Sequence, residues 1–205
     1  YFYDVGRRGG IEKLNEYAKM FGLGQHTGIE TGDAEGTIAG PETSRANNQA
    51  WYDGATLYAA IGQENNRFTP LQLAHMTATL VGDGNRWQVH LLHQVEGEDP
   101  QPRVSLGQVN LSQENVAAIQ EGMLAVTQTG SLAAAFQDLP FQAGAKTGSA
   151  QVTGEENANA VLVCFAPYDD PQIALAIVAE QGGSGSALGT VAAQTLSAWA
   201  GKAGL

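Results

Sequence analysis

The stretch FQAGAKTGSAQV (residues 141–152) is the first of three consecutive apolar runs that decide the fold. NAVLVCFAPY (159–168) and QIALAIVAEQ (172–181) follow it, and the turn-rich segments TGEEN and DDP separate the three runs. Short apolar runs bounded by turn residues are typical of β-strands. Because short connections join antiparallel neighbours, the sequence predicts a three-stranded antiparallel meander.

Three segments before these strands carry apolar residues at helical spacing: GIEKLNEYAKMFGLG (10–24), TPLQLAHMTATLVGDG (69–84) and LSQENVAAIQEGMLAVTQTG (111–130). Their ends carry residue types that begin and stop helices. Thr69 and Ser112 are suited to N-cap positions, whereas Gly22 is suited to the position just beyond a helix C-terminus. We therefore expect three helices before the sheet.

The same spacing predicts which helical residues face inward. The helix over 111–130 is expected to bury Val116, Ile119, Met123 and Val126. A closing helix over 187–204 is expected to bury Leu188, Val191, Ala192, Leu196 and Trp199. Segment 27–44 is rich in Gly, Thr and acids and predicts a loop, whereas 51–63 fits either a short strand or the beginning of a helix.

The order of these elements indicates the fold class. Helices come first, then the three antiparallel strands, then one C-terminal helix, and such segregation is typical of an α+β fold. A length of 205 residues fits one domain or a large piece of one. Residues 1–135 are expected to be mainly helical, and 136–205 to hold the antiparallel strands and the closing helix.

Composition excludes several classes of function. The chain has 21 acidic and 10 basic residues, a net charge of −11, so it repels phosphate backbones and we expect no nucleic-acid partner. The single cysteine, Cys164, lies in the apolar run AVLVCFA and is expected to be a buried, inert thiol. The four histidines show no metal-ligand spacing, so no metal site is predicted.

Lys146 is unusual because it lies within the first apolar run, between two alanines and a pair of hydroxyl residues. Either it ends a strand and extends to water, or it is held over a pocket for chemistry. A phosphate-binding P-loop is excluded, because Ala145 separates Gly144 from Lys146 and Pro140 occupies the place of the first motif glycine.

The tripeptide Lys146-Thr147-Gly148 fits a strand that faces a serine nucleophile. The Lys146 ammonium can attract a substrate carboxylate and influence proton transfer. Side chains of Thr147 and Ser149 alternate in direction with those of Lys146 and Gly148. The neighbouring backbone groups can pair with an extended substrate, and Gly148 lets a ligand approach because it has no Cβ. A tripeptide alone is a weak signal, so its surroundings matter.

The surroundings resemble the transpeptidase domain of class B penicillin-binding proteins. AKTGSAQV (145–152) resembles the third active-site motif of that family, and AAIGQENNRFTPLQLAHMTATLVGDGN (59–85) resembles its Ile-Gly-Gln-Gly, Thr-Pro-Leu-Gln-Leu-Ala and Asn-Gly-Gly run, with Glu64 in the last place of the first motif. VAAIQEGMLAVTQTGSLAAAF (116–136) is similar to the Gly-Met-x-x-Val helix with Gly-Thr-Ala. YFYDVG (1–6) and GLGQHTGIE (22–30) resemble the segments that follow the second active-site motif of the family, Ser-x-Asn. The similarity covers nearly the whole chain in order.

The resemblance implies a penicillin-binding/β-lactamase-like fold, present in part, with residues 1–205 as the C-terminal part of one transpeptidase domain. It implies roles for Lys146 in carboxylate binding and the proton network. It implies that Thr147, Gly148 and Ser149 bind the substrate, with the Thr147 and Ser149 hydroxyls holding its carboxylate. It also implies that the Ser149 N–H is one donor of the oxyanion hole. Gln151 is expected to contact bound substrate. The implied reaction is acyl transfer through a serine ester, without metal or organic cofactor.

The family nucleophile lies in Ser-x-x-Lys and a second motif is Ser-x-Asn, and none of the eight serines fits either pattern. The resemblance implies that both motifs lie upstream of Tyr1, so an upstream half of the same domain is an expected partner and the chain alone is expected to be inactive. The other implied partners are peptidoglycan stem peptides and β-lactams, at the outer face of the bacterial cytoplasmic membrane. Two alternatives remain: a non-catalytic peptidoglycan- or β-lactam-binding module, and a serine β-lactamase or sensor of the same fold.

Overall fold

A computed structural model describes residues 1–204. Seven α-helices are found in this range: α1 (Phe2–Met20), α2 (Pro41–Ala46), α3 (Asp53–Ala59), α4 (Pro70–Val81), α5 (Gln113–Gln128), α6 (Ala133–Phe136) and α7 (Gly189–Ala203). The strands are β1 (Asn85–Trp87), β2 (Ser105–Gln108), β3 (Gly144–Ala150), β4 (Asn159–Ala166) and β5 (Ile173–Ala179). A 3-10 turn, Gly185–Leu188, precedes α7.

The three-stranded sheet confirms the predicted meander. Its order is β3-β4-β5, and both pairs are antiparallel. In the first pair Lys146 lies opposite Val163, Thr147 opposite Leu162 and Gly148 opposite Val161. The smaller sheet is the antiparallel hairpin of β1 and β2. Helices before the sheet and one after it make the fold α+β, as the sequence predicts.

The chain divides into two compact units. The first unit comprises residues 1–79 and 85–109, and it contains α1, α2, α3 and the β1–β2 hairpin. The second comprises residues 80–84 and the chain from Asn110 onwards, and it contains α5, the three-stranded sheet and α7. The sequence predicts a different division, into a mainly helical part before residue 136 and a part with the strands and the closing helix after it. That division stays a prediction.

Both faces of the three-stranded sheet are packed within the second unit. Residues that lie directly opposite each other on two strands share a face. One face carries Ala145, Cys164 and Leu162, which lie in a buried cluster with Ala192 and Leu196 of α7. The opposite face carries the fully buried Phe165, which packs with Val81, Met123 and Val163. The sheet is therefore held between apolar layers.

Three predicted helix ends are confirmed by their hydrogen bonds. The Gly22 N–H donates to Lys19 O at 3.0 Å and the Leu23 N–H donates to Ala18 O at 2.9 Å, which is the Schellman pattern. Gly22 has φ +83°, a conformation that glycine adopts without a Cβ penalty. At α5, Ser112 accepts a hydrogen bond from the Asn115 N–H at 3.2 Å.

Thr69 and Gln72 form the third confirmed end, a reciprocal cap at the start of α4. The Gln72 N–H donates to Thr69 Oγ1, and the Thr69 N–H donates to Gln72 Oε1, both at 3.1 Å. The Gln72 side chain is buried, and its Nε2 also donates to Gln25 O at 2.6 Å and Glu35 O at 2.8 Å. One side chain therefore joins the α4 N-terminus to the loop before α2.

Two local predictions were wrong, and one open alternative is decided by the structure. The helix predicted from residue 10 begins at Phe2 and is broken at Gly10, where φ is 76° and ψ is 162°. The segment 27–44 includes the first turn of α2, because Pro41 is suited to begin a helix after Gly40. The undecided segment 51–63 contains α3.

Two residues predicted to face inward are exposed. Val191 is 51% exposed, because the buried stripe of α7 is made instead by small residues, Ala192 and Ala193, together with Leu196. Ile119 is 42% exposed although it lies one turn before the buried Met123, because only the C-terminal half of α5 has buried residues. Trp199 is partly buried against Phe141, with ring centroids 6.2 Å apart.

Among residues 1–204, no helix combines the length and the apolar character needed to cross a bilayer.

Candidate active site

A close contact between β3 and the 3-10 turn shows which N–H and C=O groups of β3 face β4. An ideal Cβ at Gly185 would lie 2.3 Å from Val161 O, 2.4 Å from Gly148 O and 2.8 Å from Gly148 N. Gly148 and Val161 lie opposite each other, and these three atoms can all lie near one Cβ position only if the N–H and C=O groups of the two residues face each other. In an antiparallel ladder such residues alternate with residues that face away. Thr147 and Ser149 therefore direct their N–H and C=O groups to the edge of β3 opposite β4.

We refer to this side of β3, at residues 146–149, as the outer edge. Among the strands of residues 1–204, β3 pairs with β4 and is an outer strand of its sheet. Outer strands can accept another extended chain as an added strand. The outer edge therefore carries backbone groups that face away from β4.

The Thr147 and Ser149 side chains lie on the face of the sheet that packs against α7. Thr147 lies opposite Leu162 and Ser149 lies opposite Ala160, and both partners belong to the buried cluster on that face. Thr147 is half-buried, and Ser149 is exposed. Gly148 lies between them, so two hydroxyl groups flank a position without a side chain.

Lys146 emerges from the opposite face and bends to the outer edge. It lies opposite Val163, and its side chain is exposed. Its Nζ donates a hydrogen bond to the carbonyl of Thr147, one of the groups that face away from β4. The ammonium thus reaches the edge of β3 where the Thr147 and Ser149 backbone groups face outward. Gln151 is exposed and lies one residue beyond the end of β3.

Buried contacts fix the start of β3. The Thr127 hydroxyl of α5 is buried and donates to Ala143 O at 2.6 Å. Ala145 is fully buried in the cluster below the sheet. Across the strand pair, Phe165 covers Gly144 so closely that a Cβ there would lie 2.3 Å from the ring. The two residues before Lys146 are therefore held rigidly, as positioning of a site requires.

The 3-10 turn beside Gly148 lies in a segment that the sequence leaves open, as either a flexible turn into the last helix or a border of the cleft. Ser184 accepts a hydrogen bond from the Ser186 N–H at 3.3 Å and caps the turn. The Gln181 N–H donates to Asn159 Oδ1 at 2.9 Å, and the Gly183 N–H donates to Ala158 O at 2.8 Å. The glycine- and serine-rich segment QGGSGS (181–186) was the only signal, and it also fits a mobile linker.

Cys164 is confirmed as a buried thiol. It is fully buried, and burial raises its pKa to about 12, so the thiolate that would act as a nucleophile is disfavoured. Within residues 1–204 no group of three or more His, Cys, Asp or Glu side chains is arranged to hold a metal ion.

Comparison with known proteins shows the family of the chain. The family model described as the penicillin binding protein transpeptidase domain matches residues 1–199. A peptidoglycan D,D-transpeptidase MrdA from Acinetobacter baumannii is 32% identical over 97% of the chain, which covers 32% of that protein. The chain therefore spans about a third of the length of this relative.

Two solved structures are similar in fold. Pseudomonas aeruginosa PBP2 in complex with WCK 5153 has a TM-score of 0.86 and 34% identity, over 97% of this chain and 46% of that one. Helicobacter pylori PBP2 in complex with MreC has a TM-score of 0.83 and 28% identity, over all of this chain and 38% of that one. These likenesses confirm the transpeptidase fold that the sequence predicts.

Proposed function

Because the chain belongs to the penicillin-binding protein transpeptidase domain family, of class B, we propose that it supplies the carboxylate-binding side of a serine D,D-transpeptidase active site. The observation that carries the proposal is the outer edge of β3. There the Lys146 side chain reaches the Thr147 carbonyl, and the Thr147 and Ser149 backbone groups face away from β4. A cation beside the backbone of an outer strand, with two hydroxyl residues in the same stretch, suits an extended peptide that ends in a carboxylate.

The proposed donor is a peptidoglycan stem peptide that ends in D-Ala-D-Ala. A serine oxygen attacks the carbonyl carbon of the penultimate residue, and its proton passes to the departing amine, so D-alanine leaves and an ester forms. An amine of a second stem peptide then attacks the ester, forms the cross-linking amide and returns the serine. β-Lactams follow the first step only, because the opened ring stays attached.

Each residue of the outer edge has a separate task in this scheme. Thr147 and Ser149 hydroxyls hold the terminal carboxylate of the donor, and Lys146 attracts it and takes part in the proton network. The Ser149 N–H stabilises the negative oxygen of the tetrahedral intermediate. Gln151, just beyond the strand, contacts the bound peptide. No step needs a metal or an organic cofactor.

The serine nucleophile is proposed to come from an upstream half of the same domain. None of the serines in the 205-residue sequence begins a Ser-x-x-Lys or a Ser-x-Asn motif. The chain matches only about a third of its MrdA relative, which leaves room for the missing motifs elsewhere in such a protein. We propose that the parent protein acts at the outer face of the cytoplasmic membrane, where peptidoglycan is cross-linked.

Covalent labelling by a fluorescent penicillin tests the proposal in the full-length protein. We expect a single acyl adduct by intact mass, and a labelling rate reduced about 100-fold or more in Lys146→Ala, the size of a lost charge-stabilising group. Lys202→Ala is the matched control, because Lys202 is exposed in the last turn of α7. Labelling of Lys146→Ala at the rate of the parent would exclude the proposed role of this lysine.

A serine β-lactamase of the same fold is the second candidate. The similarity to the peptidoglycan D,D-transpeptidase MrdA favours the transpeptidase. The two are separated by the lifetime of the acyl adduct, because a β-lactamase releases it rapidly and a transpeptidase retains it.

A further inference from the structure

Gly185 lies against the strand pair more closely than any side chain would allow. A Cβ at this position would lie 2.3 Å from Val161 O, 2.4 Å from Gly148 O and 2.8 Å from Gly148 N. All three atoms belong to the backbone of paired strands, so they cannot move aside as the end of a flexible side chain could. Gly185 itself is buried, and its φ is not in the left-handed region. Space, rather than backbone conformation, therefore demands glycine here.

The contact falls on a peptide unit that matters for the proposed reaction. The carbonyl of Gly148 and the N–H of Ser149 belong to the same planar peptide group and point in opposite directions. The Gly148 carbonyl faces β4 beneath Gly185, so the Ser149 N–H faces the outer edge. Any displacement of the Gly148 carbonyl rotates the plane and re-aims the Ser149 N–H.

Hydrogen bonds hold the turn in this place. The Gln181 N–H donates to the side chain of Asn159, the first residue of β4, and the Gly183 N–H donates to the carbonyl of Ala158 just before it. Ser184 caps the turn by accepting from the Ser186 N–H. On the other side of Gly185, Leu188 is buried in the cluster below the sheet. The turn is thus fixed on both sides of Gly185 and cannot retreat without breaking these contacts.

We propose that Gly185 is a positioning residue for the oxyanion-binding N–H of Ser149, an inference that rests on the function proposed above. The absence of a Cβ lets the turn lie on the Gly148–Val161 pair and fixes the tilt of the Gly148–Ser149 peptide. A misdirected donor weakens stabilisation of the transition state more than it weakens ground-state binding.

The test compares Gly185→Ala with Gly189→Ala in the full-length protein. Gly189 is a matched control because its added Cβ would also be crowded, at 2.8 Å from Leu132 Cδ2 and 3.1 Å from Ala135 Cβ, but by side chains of α6 and its N-cap. Stopped-flow acylation by a penicillin separates the rate constant at saturation from the apparent dissociation constant, and thermal unfolding gives the stability of each variant.

We expect Gly185→Ala to lower the saturating acylation rate constant about 10- to 100-fold, the cost of a misplaced catalytic group, with the dissociation constant changed less than about threefold. Gly189→Ala should lose thermal stability but acylate within about twofold of the parent. The ester carbonyl of the Gly185→Ala adduct should also absorb at higher infrared frequency, because a poorly aimed N–H polarises it less.

The outcomes distinguish the inference from the function on which it rests. If the parent is not acylated, the proposed function itself fails. If the parent is acylated and Gly185→Ala matches it within twofold, or Gly189→Ala loses as much rate, the inference alone is overturned. If Gly185→Ala does not fold, Ser184→Ala decides: removal of the cap should lower the rate constant about threefold or more, and an unchanged value overturns the inference.

Discussion

Phe165 covers Gly144 across the β3–β4 pair, with its ring edge where a Cβ of residue 144 would be. That Cβ would lie 2.3 Å from Cε1 and 2.6 Å from Cζ of a fully buried ring. The aromatic ring thus fills the space that a glycine leaves in a strand. This relationship lies two residues before Lys146 and sets the path of β3 into the site.

Substitution of Gly144 by alanine is expected to destabilise the domain. The added methyl must displace the Phe165 ring in a packed layer, and overpacking of this kind costs about 1–3 kcal/mol. Urea unfolding of the full-length protein measures the change. Gly122→Ala is the control, because a Cβ there meets nothing within 4 Å and alanine favours the exposed interior of α5. Equal stability of the two variants would contradict the packing argument.

Gln72→Ala is expected to destabilise the first unit strongly. The substitution removes the acceptor of the Thr69 N–H and leaves the carbonyls of Gln25 and Glu35 without their donor. Each buried polar group left unsatisfied costs about 1–3 kcal/mol. Chemical denaturation should show a loss of about 2–4 kcal/mol. Gln194→Ala, on the exposed face of α7, should change stability by less than about 0.5 kcal/mol.

Two histidines should affect the pH dependence of stability with opposite sign. Burial lowers the pKa of His75, with a further lowering from Arg86, so its contribution is present above the unfolded pKa of about 6.5 and is lost as pH falls through the folded pKa. A hydrogen bond with Asp33 raises the pKa of His26, so its contribution is present below about pH 6.5 and is lost as pH rises through its folded pKa.

Denaturation between pH 5 and 8 distinguishes the two effects. Relative to the parent, His75→Gln should lose less stability on acidification, whereas His26→Gln should lose more. The His26 effect should be small and sensitive to salt, since its side chain is 63% exposed. If the stability of both variants depends on pH in the same way as that of the parent, these pKa shifts do not govern stability in this range.

The proposed contact between the Thr147 hydroxyl and the ligand carboxylate can be tested by removing either group. Thr147→Val keeps the shape of the side chain and removes the hydroxyl. Acylation by a penicillin with a free carboxylate should fall about 10- to 100-fold, the usual range for a hydrogen bond to a charged group. Acylation by the methyl ester of the same penicillin should be slower in the parent and little changed by the substitution. An equal loss for both compounds would assign Thr147 a different role.

The 205-residue chain alone should not be acylated. Its serines lack the motifs of the family nucleophile, and the outer edge provides binding groups but no activated serine. Incubation with excess penicillin should leave the intact mass unchanged. A mass increase equal to one penicillin would show that a serine of this chain is reactive.

Local chemistry explains why much of the fold could be predicted from the sequence. The cap at Ser112 depends on residues three apart, and the strand meander on runs separated by short turns, so neighbouring residues decide both. The motif around Lys146 predicted a strand, and the structure confirms it as β3, with the Lys146 ammonium bonded to the Thr147 carbonyl. The roles of the neighbouring hydroxyls stay a prediction.

Contacts between distant segments explain what the sequence could not predict. Ile119 follows the apolar spacing of α5 but lies in the half of the helix without buried residues. Gly185 touches Gly148 across 37 positions of the chain, and no periodicity signals such an approach. Its neighbours in sequence are glycines and serines that fit a mobile linker equally well. Only the paired strands show why a side chain is excluded there.

A crystal structure of the full-length protein acylated by a penicillin tests the central claim most directly. The account predicts that the ligand lies along the outer edge of β3. Its carboxylate should be within hydrogen-bonding distance of the Thr147 and Ser149 hydroxyls, and its ester oxygen should accept from the Ser149 N–H. A ligand whose carboxylate lies away from residues 146–149 would contradict the account.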